Sequence, residues 1–186
     1  MFTNNFMKYM TNTYFSDVSS SSTKFAVTKP NGNSINIYPY YLNMKYNLRM
    51  AMLNVKCCNI ASDGSVSYGD TTYGYGIWLG SGNTKPTKSD YTLEVPIIEG
   101  LSITQPSNIV ATSKDGIYEY SSTFVIKNTT SQEITVGEIG LFINLPTSST
   151  VAHVVLMERQ VFSEPIIVEP NEFKVITYML SFNQTI

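Results

Sequence analysis

Hydrophobic and polar residues alternate most regularly between Tyr118 and Lys127. Tyr118, Tyr120, Phe124 and Ile126 fall on one side of an extended chain, and the residues between them fall on the other. This period of two is typical of a β-strand that buries one face. The polar run at 128–132 ends the pattern. We therefore predict a strand over 118–127 followed by a turn.

The next apolar segment changes phase in its middle. Its apolar residues stand at even positions up to Val136 and at odd positions from Ile139 onward. A pattern of period two changes phase only through an extra residue. Gly137 or Glu138 is therefore predicted to mark a bulge or a bend between two short strands.

Several other segments also have the length and composition of strands. The residues at 151–157 and 174–182 are apolar on both faces, which is expected of strands covered on both sides. A short segment at 166–168 lies between two prolines and predicts an edge or connecting strand. Another predicted strand, at 73–79, runs into a glycine-rich turn. Short strands at turn spacing, without alternating helices, predict a mainly β fold, an antiparallel β-sandwich of Ig-like or jelly-roll-like type.

One segment, at 42–55, fits two kinds of element. Its apolar residues alternate as in a strand, but several also fall at near-helical spacing. Leu, Met, Ala, Arg and Lys dominate it, and these residues form helices well. We predict one short helix near 42–55. Downstream of it, Asp63-Gly64 predicts a hairpin turn.

The first 34 residues differ in composition from the rest of the chain. They hold a serine run at 19–22 and a turn cluster at 29–33, together with spaced aromatic residues. We predict an N-terminal arm over 1–34 and a β-sandwich domain over 35–186. The arm could be ordered against its own domain or against another subunit, and the sequence leaves both open.

Charge excludes one large class of function. Twelve Lys and Arg stand against fourteen Asp and Glu, and only 14% of the residues are charged. Without a basic stripe, direct nucleic-acid binding is not expected. Thirteen Tyr and nine Phe suit half-buried strands and protein contacts, so neighbouring subunits could cover such a surface without burying many charges. An AT-rich genome would also favour this composition.

Apolar runs and cysteines point to the cytoplasm as the place of synthesis. No secretory signal is expected at the N-terminus, and the apolar runs are too short to span a bilayer. Cys57 and Cys58 are adjacent and cannot join distant segments. With no second Cys pair or His nearby in sequence, metal binding is not expected, and we predict reduced, buried and inert thiols.

The residue types that carry catalysis are sparse. His153 lies within an apolar strand segment without a nucleophile elbow, and the glycines at 80–86 lack the ending of a phosphate-binding loop. A pair of carboxylates such as Glu138 and Glu158 would suit glycoside hydrolysis only if the fold made them face each other. For Glu138, accepting bonds from backbone N–H groups or pairing with Arg159 is favoured over catalysis. No catalytic, cofactor-binding or metal-binding residue is predicted, and no cofactor.

Three stretches, taken in order, resemble small structural proteins of tailed bacteriophages. The first, at 76–93, has a short apolar strand, a Gly-x-Gly turn, a Pro-Thr step and an Asp-Tyr-x-Leu. The second, at 128–142, has a polar Asn-Thr turn followed by an apolar strand with Glu-Ile-Gly-Leu. The third, at 156–182, has an Arg-x-Val-Phe strand, proline turns and a closing strand that ends in Ser-Phe. Together they cover about residues 76–182, and residues 1–40 carry no resemblance.

The resemblance implies a non-enzymatic virion structural protein made in the host bacterial cytoplasm. We expect such a protein to form homo-oligomers and to contact other virion proteins, without contact to a membrane. The resemblance does not give its position in the particle, and we favour the neck, tail or head-fibre region over the capsid shell. Family members commonly carry a short helix before the first stretch, which supports the helix near 42–55.

Two alternatives come from other classes of function. A receptor- or glycan-binding module of a fibre would use exposed Tyr residues and Trp78, because aromatic faces stack on sugars. Burial of Trp78 is favoured, since it lies between Ile77 and Leu79. A particle-bound polysaccharide hydrolase would need two facing carboxylates.

Overall fold

The computed structural model describes residues 1–8, 25–37, 51–57, 65–67, 74–114, 117–146 and 151–183. A short helix, α1, covers residues 4–8. No helix among the described residues is long and apolar enough to cross a membrane. The strands are β1 (Phe25–Thr28), β2 (Ser34–Ile37), β3 (Val55–Lys56), β4 (Ser65–Ser67), β5 (Gly76–Gly80), β6 (Leu101–Thr104), β7 (Val110–Lys114), β8 (Ile117–Asn128), β9 (Ile134–Pro146), β10 (Val151–Val168) and β11 (Phe173–Asn183).

Two main sheets form a β-sandwich, as the strand pattern predicts. One has the order β3-β5-β9-β10-β4, and within it only β3 and β5 are parallel. The other has the order β11-β8-β6, and β7 also pairs with β8. A separate hairpin joins β1 and β2. The mainly β prediction is confirmed.

Alternating side chains from the facing sheets fill the core between them. Strands β8 and β11 contribute every second residue, and the other sheet contributes Val136 and the odd-numbered residues of β9 from Ile139 onward. Burying such branched and aromatic side chains is the main stabilising term of the fold. The core residues from these strands include Phe124, Ile126, Ile139, Leu141, Ile143, Ile176, Tyr178 and Leu180.

The predicted phase change is present, but it does not split the strand. Val136 and Ile139 both face the core, although β9 continues through them without a break. The register with β10 shifts at this point: Val161 lies opposite Glu138 and Ile166 opposite Val136, so β10 has extra residues opposite Gly137. The bulge predicted at Gly137 or Glu138 is therefore confirmed as an irregularity of the β9–β10 pairing, whereas the division into two short strands is wrong, because β9 is continuous and the extra residues lie in β10. For the same reason the separate strand predicted at 166–168 is the end of β10.

Strand β11 corrects a second prediction. Its residues alternate between the core and the surface, and Phe173, Val175 and Met179 are exposed on the outward side. The expectation that this segment is covered on both faces is therefore wrong among the described residues. An apolar composition shows that a strand can be covered, but it does not show what covers it.

The N-terminal residues pack against their own sandwich. Residues 1–3 run beside β10, where the Thr3 amide donates to the carbonyl of Met157 and the Arg159 amide donates to that of Met1. Phe2 stacks with Phe6 and with Phe182 of β11, and Phe6 meets Phe182 at a tilt. Residues 9–24 lie outside the described part of the chain, and the division into an arm and a sandwich stays a prediction.

The predicted helix near 42–55 is described only at its end. Ala51 and Met52 are helical, but Val55 belongs to strand β3, so the helix ends earlier than predicted. The rest of that segment, and the predicted turn at Asp63-Gly64, lie outside the described residues.

Candidate functional site

A buried ionic cluster on the outer side of the five-stranded sheet is the main concentration of charge among the described residues. It centres on Arg159 of β10, whose residue is 3% exposed, and on Glu138 of β9, which is fully buried. Antiparallel pairing places Arg159 opposite Gly140 and Val161 opposite Glu138, so both charged side chains leave the same face. The Arg159 Nε donates to Glu138 Oε2 at 2.7 Å. The pairing predicted for these two residues is therefore present.

Glu138 also anchors the loop that follows β5. This 81–96 loop crosses the outward side of the five-stranded sheet. Three of its backbone N–H groups donate to the carboxylate of Glu138. They come from Gly82 at 3.2 Å, Glu94 at 3.1 Å and Val95 at 2.8 Å. With the guanidinium, four donors surround one carboxylate, so the buried charge is fully hydrogen-bonded.

Arg159 reaches two further carboxylates of the same loop. Its Nη1 donates to Asp90 Oδ2 at 2.8 Å, and its Nη2 lies 3.4 Å from Glu94 Oε2. Each of these carboxylates also closes a turn of its own. Asp90 accepts from the amide and hydroxyl of Thr87, and Glu94 accepts from the amides of Asn83 and Thr84. One guanidinium therefore fixes both halves of the loop, using the fork of donors that only arginine offers.

An apolar layer lies under the same loop. Trp78 of β5 stacks on Phe142 of β9 with ring centroids 3.7 Å apart, and its indole N–H donates to the carbonyl of Gly74. Leu93 from the loop completes the layer together with Val154 and Leu156 of β10. Trp78 is 2% exposed, so the burial favoured from its neighbours is confirmed. It offers no free ring face for a sugar.

Close approach of loop and sheet depends on glycine at both surfaces. A Cβ on Gly137 would lie 2.6 Å from the carbonyl oxygen of Gly82, a backbone atom. A Cβ on Gly80 would lie 2.5 Å from Glu138 Oε1, and one on Gly140 would lie 2.8 Å from a methyl group of Leu93. The glycines of the Gly-x-Gly turn and of the Gly-Glu-Ile-Gly strand therefore have one shared role, which is to let the loop seat on the sheet.

Three members of the cluster, Asp90, Glu94 and Arg159, have shifted pKa values. Burial by itself would raise the pKa of Asp90, but hydrogen bonds from Thr87 and Arg159 outweigh it, and the pKa is lowered. The pKa of Glu94 is lowered mainly by the bonds that it accepts from Thr84. For Arg159, burial opposes the charge, yet Asp90 and Glu138 raise its pKa. All three groups are thus held in their charged forms.

Because the pKa values of Asp90 and Glu94 are lowered, we expect the 81–96 loop to be held less firmly in acid. A carboxylate whose pKa is lower in the folded state stabilises that state above its unfolded pKa, about 4 for Asp and Glu, and loses this contribution as the pH falls through the folded pKa. We expect the urea midpoint to drop between pH 5 and pH 3, and Asp90→Asn to show a smaller drop than wild type. Glu164→Gln, at an exposed position of β10, serves as the control and should follow the wild-type curve. Equal pH dependence in all three proteins would contradict a role for Asp90.

A second buried carboxylate, Glu158, lies on the opposite side of the sheet. It accepts from the Tyr178 hydroxyl at 2.7 Å, from the Met1 ammonium at 2.9 Å and from the Gln160 amide at 3.2 Å. Burial, followed by the charge of Glu158, raises the pKa of Tyr178 well above its ordinary value, so the phenol remains a donor. Glu158 therefore ties the two sheets to the N-terminal residues.

These positions decide between structural and catalytic roles for the carboxylates. Glu138 faces the 81–96 loop, whereas Glu158 faces the sandwich interior and Tyr178. They do not face each other across a space that a sugar could enter, as glycoside hydrolysis requires. Each is occupied by donors of the protein itself.

The remaining sequence candidates do not gather into a site either. His153 lies in β10 opposite Leu145 and Ser65. Cys57 is a free, half-buried thiol whose pKa is raised by burial, and its Sγ lies 3.7 Å from the carbonyl of Leu101. Cys58 is outside the described residues. Within the described part of the chain, no group of three His, Cys, Asp or Glu side chains is placed to hold a metal ion.

Asp90 and Glu94 are the members of the cluster to which the sequence assigned no role, although Asp90 begins the Asp-Tyr-x-Leu of the first stretch. Both lie in a polar stretch with Pro and Gly that resembles an ordinary surface turn. Their partner Arg159 is 69 and 65 residues away along the chain. The available signal was Arg159 itself, a charge within an apolar strand segment, which requires buried partners.

Comparisons with protein-family models, with curated proteins and with solved structures found no match to this chain.

Proposed function

We propose that this chain is a non-enzymatic virion structural protein of a tailed phage, which forms homo-oligomers in the neck, tail or head-fibre region. Support comes from the meeting of the three stretches that carry the resemblance. Glycines and Asp90 of the first, Glu138 and Gly140 of the second, and Arg159 of the third converge on the ionic cluster.

The chemistry of that cluster favours a building block over an enzyme. Its carboxylates accept bonds from backbone groups, Thr87 or Arg159, and its guanidinium donates to three carboxylates. Residues used in this way specify the seating of a loop on a sheet. They fix the 81–96 loop on the five-stranded sheet, which suits a protein that is repeated in a particle.

Two measurements on the full chain test the proposal. Light scattering after size-exclusion chromatography should give a mass that is a multiple of the 20.8 kDa chain. Peptide mass spectrometry of gradient-purified phage particles should find the chain in a fixed ratio to the major capsid protein, while an abundant host cytoplasmic protein, used as the control, is depleted. A monomer that is absent from purified particles would overturn the proposal.

A further inference from the structure

The outward side of the four-stranded sheet is unusually apolar for a surface. Val175 is 69% exposed, Phe173 63%, Val110 51% and Met179 46%. Antiparallel sandwich sheets commonly place polar residues on this side. We call this surface the outer face, and its residues are Ser102, Thr104, Val110, Thr112, Lys114, Ile117, Glu119, Ser121, Thr123, Val125, Lys127, Phe173, Val175, Thr177, Met179 and Ser181.

Hydroxyl groups and very few charges fill the rest of the outer face. Thr123 and Thr177, which pair across β8 and β11, share a hydrogen bond of 2.9 Å between their hydroxyl oxygens. This ladder of Thr, Ser and Val carries no charge. It can be covered at little desolvation cost, since the charged residues of the described outer face are only Lys127, Glu119 and, at the end of β7, Lys114.

Lys127 and Glu119 are placed symmetrically about Thr123 in β8. Lys127 lies four residues after Thr123 in β8, and Glu119 lies four residues before it, all on the outer face. Lys127 is held over the Phe173 ring at 5.1 Å, and Glu119 accepts from Ser181 at 3.3 Å. Consider a two-fold axis that lies between two facing copies, parallel to their sheets, perpendicular to the strands and level with Thr123. It brings Lys127 of each copy over Glu119 of the other.

We propose that the outer face binds a second copy of this chain, face to face, about this two-fold axis. The same operation sets Val175 of one copy against Met179 of the other, again twice. Strands β8 and β11 of one copy lie over β8 and β11 of the other with opposite direction, as an isologous interface requires, and β7 lies over β6. The inference rests on the proposed function, because it identifies the surface through which the homo-oligomer forms.

The size of the outer face sets the expected strength. Three strands across by eleven residues along give roughly 14 Å by 36 Å, or about 1,000 Å² for both copies. That lies near the lower limit for a specific interface, about 1,000–1,200 Å². The isolated dimer should therefore dissociate on dilution through the micromolar range, and repetition in a particle would strengthen it.

A charge exchange tests the two-fold geometry. We expect Lys127→Glu alone, and Glu119→Lys alone, to weaken the dimer about fivefold or more, because each places like charges opposite each other twice. The double variant Lys127→Glu with Glu119→Lys should recover most of the wild-type dissociation constant. Sedimentation equilibrium over a dilution series, with circular dichroism to confirm folding, measures all four proteins. A double variant no tighter than the weaker single variant would overturn the geometry.

A charge at the apolar centre tests the surface itself. Val175→Asp should weaken the dimer at least tenfold, since it places a carboxylate against Met179 of the other copy. Ile98→Asp is the matched control: Ile98 is a β-branched side chain, 54% exposed, outside the outer face. It should leave the dissociation constant unchanged. An oligomer that tolerates Val175→Asp as well as Ile98→Asp would overturn the inference and leave the proposed function standing.

If the protein proves to be a monomer, the reaction of a Val175→Cys variant with a maleimide probe measures whether the outer face is accessible. A monomer found in purified particles would overturn this self-association surface while the virion role stands. If the thiol is also unreactive in that monomer, another segment of the same chain covers the outer face. If it reacts in the free monomer but is protected in the particle, a different virion protein covers the outer face, and the second copy is excluded in either case.

Discussion

Replacing Arg159 with methionine is expected to lower the free energy of unfolding by about 3–5 kcal/mol, the cost of removing one partner from a buried ion pair. Methionine fills a similar volume but provides no donor. Glu138, which is fully buried, then keeps only its three backbone N–H donors. Asp90 and Glu94 lose the charge that holds the two halves of the 81–96 loop. Urea unfolding followed by circular dichroism measures the change.

Lys174→Met is the matched control, since it removes a cation from an exposed ion pair of the same chain. Lys174 lies 2.6 Å from Glu172, but both side chains are more than one-third exposed. Such a pair contributes about 0–1 kcal/mol. If the two variants lost the same free energy of unfolding, burial would not strengthen the ion pairs of the cluster.

A double variant separates the pair from the rest of the cluster. Adding Glu138→Gln to Arg159→Met removes the uncompensated charge, so part of the loss should return. The amide still accepts through only one atom, whereas the carboxylate uses both oxygens for four donors. Recovery should therefore be incomplete. Full additivity of the two single changes would mean that the residues do not interact.

Sequence periodicity predicted those parts of the fold that depend on neighbouring residues. Strand β8 lies within one residue of its predicted limits at each end, and the polar turn begins where Asn128 ends it. Asn128 shows why: its side-chain amide donates to the carbonyls of Gln132 and Val168, and its oxygen accepts from Thr130. A turn closed by a local side chain is visible in the sequence.

Long-range pairing limited the rest. The phase change near Gly137 is real, but whether the extra residues lie in β9 or in its partner depends on a register between distant segments. The ionic cluster likewise joins three segments, of which only Glu138 and Arg159 carry an unusual local context. Asp90 and Glu94 become identifiable only after the loop has been placed on the sheet. The apolar row of β11 was predicted as covered, because composition cannot distinguish a core from a docking surface.

Replacing Trp78 with alanine is expected to cost about 3–5 kcal/mol, the range for removing a large aromatic side chain from a packed core. The loss combines the stacked contact with Phe142, at 3.7 Å between centroids, and the indole bond to Gly74. Leu93 of the 81–96 loop packs in the same cluster and loses part of its packing surface. The loop should therefore become accessible to proteases in this variant. Trp78→Phe keeps the stacking and should cost less than half as much.

Fluorescence of the wild-type protein gives an independent reading, because Trp78 is the single tryptophan of the chain. A ring that is 2% exposed should emit at short wavelength and resist quenching by iodide until urea unfolds the protein. Tyr91→Ala, at a residue 40% exposed in the same loop, should change stability far less than Trp78→Ala. Two results together would contradict the burial of Trp78: ready quenching by iodide in the folded state, and a loss of less than about 1 kcal/mol in Trp78→Ala. The stacking of sugars on its ring would then replace loop seating as its role. The buried stack with Phe142 instead predicts a tryptophan that supports the loop and contacts no ligand.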